Sequence, residues 1–174
     1  EWAKQKGAKT IASLHADIEY GRAPVRNAME QKIPEKLGLK VLADIEYAGV
    51  SLDLTPQLLR IKELNPDYVY IQDSAGNTIK ILRDAAKVGV PASKFFGNNY
   101  NFQHIIPGTL GKDAEGFKAL QVNADWGANI PMMKEIEEFA KKHEIAKKDA
   151  YYTKGWAQGK IIHEAVSRVL KKTG

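Results

Sequence analysis

Residues 68–78, YVYIQDSAGNT, place Gln72, Asp73, Ser74 and Asn77 directly behind an apolar run. An amide, a carboxylate and a hydroxyl gathered at the carboxyl end of a strand can hold a small molecule by hydrogen bonds, because that edge is where open α/β sheets take their ligands. The same residue types also cap helices and close turns. Asp73 therefore reads as a cation acceptor or as a cap for the turn, with capping the weightier role, and Ser74 and Asn77 divide between ligand and helix start in the same way. Asn99 and Tyr100, in GNNY at the end of another apolar run, serve neither a core nor a helix start and are stronger ligand candidates. Similar turns occur at HADIEYGR, which contains Tyr20, and at NADWGANIP, which contains Trp126. Tyr20 can line a cleft or staple a helix start, and Trp126 can be an aromatic wall or a packing residue. Neutral hydrogen-bonding and aromatic groups of this kind orient a small ligand without transforming it.

Signals for catalysis are weak by comparison. His15, His104, His143 and His163 are scattered, and neither HEIAK nor HEAVS completes a zinc-binding His-Glu-x-x-His pattern. Cysteine is absent, which removes thiolate nucleophiles, disulfides and cysteine zinc sites. No glycine-rich phosphate cradle follows a strand, and Ser13, Ser74 and His15 are not set in a G-x-S-x-G hydrolase turn. Asp17, Asp44 and Asp73 lie near strand ends without the paired acidic residues of a receiver domain. No metal or cofactor is expected. The net charge of +5 comes from lysines spread along the chain or in pairs such as Lys141-Lys142, Lys147-Lys148 and Lys171-Lys172. These read as solvated helix faces rather than as a basic patch with interleaved aromatics, so nucleic acid is not an expected partner. No apolar stretch is long enough to span a bilayer, and EWAKQKGAKTI lacks the pattern of a signal peptide.

The elements that must position these residues follow from periodicity. KTIASLHA, LKVLADIEYA, DYVYIQ, KFFGNN and FKALQVNA read as strands. Between them, YGRAPVRNAMEQKIPEKLG reads as one helix closed by Gly38. SLDLTPQLLRIKELNPD reads as a helix capped by Thr55 with Pro56 in its first turn and a stripe of Leu58, Leu59, Ile61 and Leu64. NTIKILRDAAKVG reads as a helix ending at Gly89, and HIIPGTLGKDAEG as a short helix and loop. Strict alternation of strand and helix predicts a three-layer α/β/α sandwich with a mostly parallel sheet. After Trp126 the alternation stops. IPMMKEIEEFAKKHE, with a packing stripe of Met132, Met133, Ile136 and Phe139, and AYYTKGWAQGKIIHEAVSRVLKKTG are consecutive helices. Gly155 and Gly159, one turn apart, predict close packing against another element. The last helix carries more apolar residues than one narrow stripe, from Trp156 to Leu170, which predicts either self-association through the C-terminal helices or their displacement from the arrangement of a full-length protein.

The order TIASLHADIEYGR, LDLTPQLLRIKELNPDYVYI, ILRDAAKVGV, FFGNN, AEGFKALQ and YYTKGWAQGKIIHEAV resembles the branched-chain amino acid type of periplasmic substrate-binding protein over nearly the whole chain. The Tyr-Gly after the first strand, the D-x-x-P entry with K-x-x-N-P-D, and the L-R-x-A-x-x-x-G helix carry the resemblance. It implies the type I periplasmic-binding fold, a two-lobed clamp without enzymatic activity that delivers a solute to the membrane subunits of an ABC importer. By that resemblance residues 1–130 are the second lobe and 131–174 a helical segment returning toward a first lobe absent from this sequence. The implied location is periplasmic or extracellular and membrane-anchored. Tyr20, Ser74 and Asn99 stand where the second lobe contacts ligand. Relatives that bind amino acids place a carboxylate where Asn99 stands, to receive the ammonium, so a neutral amide points to a small polar or aromatic solute of the amino-acid or organic-acid class. The rival readings are a sensory or repressor effector domain of the same fold and an unrelated α/β enzyme.

Overall fold

The computed structural model describes residues 1–101, 103–146 and 148–173; Phe102 of the GNNYNF turn, Lys147 of one lysine pair and Gly174 lie outside the described residues. The chain forms two compact units, Glu1–Leu120 and Gln121–Gly174, dividing ten residues before the boundary expected at 130.

In the first unit a short helix, α1 (Trp2–Gln5), precedes β1 (Thr10–Ala16), α2 (Glu19–Glu30), α3 (Ile33–Lys36), β2 (Lys40–Tyr47), α4 (Thr55–Leu64), β3 (Tyr68–Gln72), α5 (Ala75–Lys87), β4 (Phe95–Gly97), α6 (Ile105–Leu110) and β5 (Lys118–Ala119). The strands form one parallel sheet in the order β2-β1-β3-β4-β5. Successive strand residues point to opposite faces, so each strand feeds two cores. On one face Leu14, Ile45, Val69, Ile71 and Phe95 pack with Leu58 and Ile61 of α4, Ile79 and Leu82 of α5, and Ile106 of α6. Burying a large aliphatic or aromatic side chain this fully is worth about 1.5–3 kcal/mol, which makes this face the main source of stability. The opposite face meets α1 and α2 and carries the polar residues Ser13 and His15 among aromatic ones, with Trp2 edge-on to Tyr68 at 4.8 Å and tilted on Phe96 at 5.9 Å. Helices on both faces complete the expected three-layer sandwich.

Side chains rather than helix dipoles close several joints. Asp84, buried in α5, accepts the Leu54 amide at 3.1 Å and so sets the start of α4. At the amino edge of the sheet, one oxygen of Asp67 accepts the amides of Lys9 and Thr10, both at 2.8 Å, and the Thr10 hydroxyl at 2.9 Å.

Several expectations need correction. The helix predicted across residues 20–38 is broken in two, with Lys32 in the left-handed region at φ 52°. Pro34 explains the break, because its ring excludes the carbonyl of residue 30 from a continuous ladder. Thr55 is the first residue of α4, not its cap; Asp53 accepts its amide at 2.9 Å. Leu59 is exposed, so the buried stripe narrows to Leu58 and Ile61. The strand predicted at 117–124 is paired only at Lys118 and Ala119, because β4 ends at Gly97, whose carbonyl takes the Leu120 amide at 3.2 Å, and Leu120 and Val122 are exposed. Helix α5 begins at Ala75, which puts Asn77 inside its first turn.

In the second unit α7 (Met133–Lys142) buries Met133, Ile136 and Ala140, while Phe139 of the predicted stripe is largely exposed and edge-on to Trp156 at 4.8 Å. Helix α8 (Ala150–Thr173) is opened by Asp149, which accepts the amides of Tyr151 and Tyr152, both at 3.0 Å. The close packing predicted at Gly155 and Gly159 is not found: a Cβ at either would meet no described atom within 4 Å.

Candidate functional site

Three strand ends of the first unit converge at the carboxyl edge of the sheet. β1 passes through Asp17 and Ile18 into α2, and this turn is tight: a Cβ on Gly21 would collide with the Ala16 carbonyl oxygen. Tyr20 stands on that first turn of α2. Its carbonyl has lost its helical partner, because Pro24, four residues on, has no N–H. Gln72 at the end of β3 supplies the missing donor, its amide nitrogen lying 3.1 Å from the Tyr20 oxygen. The Tyr70 hydroxyl in turn donates to the Gln72 side-chain oxygen at 2.5 Å. Burial pushes the Tyr70 phenol up to about 12, which keeps it a proton donor at neutral pH.

Asp73 is buried and fully engaged. One carboxylate oxygen accepts the Tyr47 hydroxyl, and the other accepts the Ser74 amide at 2.6 Å and the Asn77 side-chain amide at 2.8 Å. Burial first, and Asp73 second, raise the Tyr47 phenol far above its ordinary value, so it too is a permanent donor. Asp73 thus closes the turn and presents no free carboxylate, and Asn77 is spent on the same turn. Ser74 is exposed as the residue before α5.

β4 ends at Gly97, and the next four residues make a latch. Asn101 is completely buried; its side-chain oxygen accepts the Asn98 amide at 2.6 Å, and its nitrogen donates to the Asp73 carbonyl at 2.9 Å and the Thr78 hydroxyl at 2.5 Å. Gly97 is glycine for this reason, since a Cβ there would collide with the Asn101 amide. Asn98 donates to the Tyr20 hydroxyl at 3.0 Å and accepts the Tyr100 amide at 2.7 Å. Tyr100 lies edge-on to Tyr20, with centroids 5.9 Å apart. Burial, ahead of smaller opposing hydrogen bonds, raises the Tyr20 phenol as well, so it stays a neutral hydroxyl.

The structure therefore brings Tyr20, Asn99 and Tyr100 together on one cavity of about 700 Å³, whose walls also include Tyr70, Phe96 and Lys118. Asn99 is half-buried there, with no side-chain hydrogen bond among the described residues. Asp73, Ser74 and Asn77 do not line it. Trp126 belongs to the second unit, where it meets Tyr152 edge-on at 5.7 Å and lies under the Lys148 ammonium. Asn98 and Asn101 organise the turn but do not stand out in the sequence; the signal that could have found them is an Asn run directly behind a strand-terminal glycine. Lys118 is the one charged residue among those lining the cavity, and its ammonium donates to the Gly116 carbonyl at 2.6 Å and the Ser93 carbonyl at 3.2 Å. Such a wall can stack on a ring or chain and exchange hydrogen bonds through Tyr20 and Asn99, but it offers no carboxylate to neutralise a cation. Among the described residues no group of three His, Asp or Glu is placed to hold a metal ion, and no helix is long and apolar enough to cross a membrane.

The family model described as periplasmic binding protein matches residues 1–174. The chain belongs to the periplasmic binding protein family. That family is one of binding proteins, not enzymes. A Leu/Ile/Val-binding protein homolog 7 of Brucella abortus (strain 2308) is 22% identical over 170 residues, covering 91% of this chain and 41% of the relative. Among solved structures, a branched chain amino acid ABC transporter protein from Thermus thermophilus with bound valine is 26% identical, with a TM-score of 0.81 over 99% of this chain and 45% of that one. A fatty acid ABC transporter substrate-binding protein from Thermomonospora curvata shares the fold at 20% identity, with a TM-score of 0.71 over 90% of this chain and 41% of that one. The chain thus spans less than half the length of these relatives.

Proposed function

We propose that this chain is one lobe of a two-lobed solute receptor serving an ABC importer, outside the cytoplasmic membrane, and that its ligand rests on Tyr20, Asn99 and Tyr100. Closure of a second lobe over this edge traps the solute, and the importer's membrane subunits read the closed state. The observation that carries the reading is the cavity at the carboxyl edge of the sheet, where two tyrosines and an uncommitted asparagine amide line a space whose only charged side chain is a lysine. The family and the transport titles of its relatives support the importer role.

The wall favours a solute with an aromatic or aliphatic body and an uncharged or carboxylate-bearing polar end. An amide gives a donor and an acceptor but no charge, and Asp73 is consumed by its own turn, so the cavity wall offers no carboxylate to a free ammonium among the described residues. A thermal-shift screen of the full-length protein against amino acids, their deaminated analogues, aromatic acids and small amides tests this. The expected hits are acids or amides without an α-ammonium. A full-length protein that prefers leucine or valine over their deaminated analogues by a large factor, and keeps that preference in Asp73→Asn, refutes the ligand class; one stabilised by none of these solutes refutes the receptor reading.

A further inference from the structure

Beneath α2, away from the cavity, Ser13, His15 and Asp44 form a cluster that solute recognition does not use. A register shift between β1 and β2 inserts one extra residue in β2 and sets Ser13 beside Asp44 and His15 beside Glu46. His15 is 2% exposed. Its Nδ1 lies 3.0 Å from the Ala16 carbonyl oxygen and its Nε2 lies 3.1 Å from Asp44 Oδ1. The Ser13 hydroxyl donates to that same carboxylate oxygen at 2.5 Å, and the bonds from His15 and then Ser13 hold Asp44 below the ordinary carboxylate range.

Both ring nitrogens therefore face groups that can only accept. A neutral imidazole has one N–H and one lone pair, so either neutral tautomer would turn a lone pair onto the carbonyl or the carboxylate. Only the doubly protonated ring satisfies both.

We propose that His15 is a buried imidazolium at neutral pH, a proton-operated tie that joins β2 to the first turn of α2 and so positions Tyr20. The link to α2 is steric. The Ala16 carbonyl that receives the Nδ1 proton is the oxygen against which Gly21 is packed, with room for no Cβ, and Tyr20 is the adjacent residue. The charges around the ring favour the cation. β2 contributes Asp44 and Glu46; α2 contributes Arg22, which is bound to Glu46 through two bonds of 2.5 and 2.7 Å, and Glu19 and Arg26, which pair with each other; β3 contributes the neutral Gln72 opposite His15. The hydrogen bond to Asp44 raises the imidazole above its ordinary value against the opposing effect of burial, and the bond to His15 lowers Asp44.

The pH window follows from those directions. A raised histidine stabilises the fold fully below its unfolded value and loses that contribution as pH rises through its folded value. A lowered aspartate contributes above its unfolded value and loses the contribution as pH falls through its folded one. The tie is closed between the two and opens on the alkaline side as the ring loses its proton.

Ring nitrogen and ring proton NMR of the whole chain reads the proposal directly, with the exposed His104, His143 and His163 as internal references. The expected result is two protons on the His15 ring at pH 7, a midpoint above those of the three references, and Tyr20 signals that move with the His15 titration. Replacing the carboxylate by Asp44→Asn should bring the midpoint below the references, because burial then dominates. The urea midpoint of the wild type should decline through the His15 titration, and that decline should vanish in His15→Gln. A single ring proton on His15 at pH 7, or a midpoint at or below the references, overturns the buried cation. Tyr20 signals indifferent to the titration overturn the positioning role. Both readouts come from the unaltered chain, so they decide the matter even where a variant fails to fold.

Discussion

Replacing Asn101 by alanine tests whether the turn behind β4 is held by one side chain. The substitution removes three hydrogen bonds: from the Asn98 amide, to the Asp73 carbonyl and to the Thr78 hydroxyl. Thr78 keeps its bond to the Ser74 carbonyl, and the Asp73 carbonyl keeps a long one from Asn98 at 3.3 Å, so the Asn98 amide is the group left without a partner. At about 1 kcal/mol net per bond the loss is about 3 kcal/mol. With a urea dependence of about 2 kcal/mol per molar for a chain of this size, the midpoint should fall by about 1.5 M when followed by a probe in the first unit. Gly97→Ala attacks the same latch from the other side, because its new methyl displaces the Asn101 amide. Overpacking of this kind costs about 1–3 kcal/mol. In the double variant the clash with the amide is gone while the methyl still meets the Cβ of residue 101 at 2.7 Å, so adding Gly97→Ala to Asn101→Ala should cost less than Gly97→Ala alone, a coupling characteristic of groups in contact. A loss below about 1 kcal/mol for Asn101→Ala, or strictly additive effects of the pair, would refute the latch.

Three further outcomes are expected. In the full-length protein Asn99→Ala and Tyr100→Ala should weaken ligand binding at least tenfold by calorimetry while leaving the unfolding free energy within about 0.5 kcal/mol of wild type, because Asn99 makes no side-chain hydrogen bond among the described residues and Tyr100 is exposed, whereas Asp73→Asn should lower stability first. Backbone amides, then the Thr10 hydroxyl, hold the Asp67 carboxyl below the usual carboxylate range, so it stabilises the fold above its unfolded value and releases that contribution as pH falls through its folded one; acid titration of Asp67→Asn should show a shallower loss of stability between pH 5 and 3 than wild type. Ile161, Ile162, Val166, Val169 and Leu170 are each more than half exposed on α8, so sedimentation velocity of this chain should show concentration-dependent self-association that Ile162→Ser with Val166→Ser abolishes.

Legibility in the sequence followed the range of the interaction involved. The succession of strands and helices, the parallel sheet and the second-unit helices rest on local periodicity and were readable, as was the placement of Tyr20, Asn99 and Tyr100 at strand ends. Four features were not. The break before Pro34 was hidden inside an unbroken amphipathic pattern, although the proline itself was in view. The length of β5 depended on its neighbour, since Leu120 and Val122 have suitable β character but no strand to pair with. The capping role of Asp73 was in view, but its bond from Tyr47 was not, because those two residues meet only when β2 and β3 have joined the sheet. Buried asparagines such as Asn101 carry no composition signal, because what distinguishes them is the geometry of the groups they satisfy.

Pro24 has a consequence for the order in which the chain folds. Most helices complete their first turn from their own backbone within a microsecond or less. α2 does so only in part: the Arg22 amide reaches the Ile18 carbonyl at 2.9 Å, but the Tyr20 carbonyl waits for the Gln72 amide, 52 residues away. That bond can form only after β1 and β3 have aligned, so it carries the entropic cost of a long loop and is made late. The turn bearing Tyr20 is thus among the last parts of the first unit to consolidate and the first to loosen on the way back. Gln72→Ala should accordingly speed unfolding while leaving the folding rate nearly unchanged.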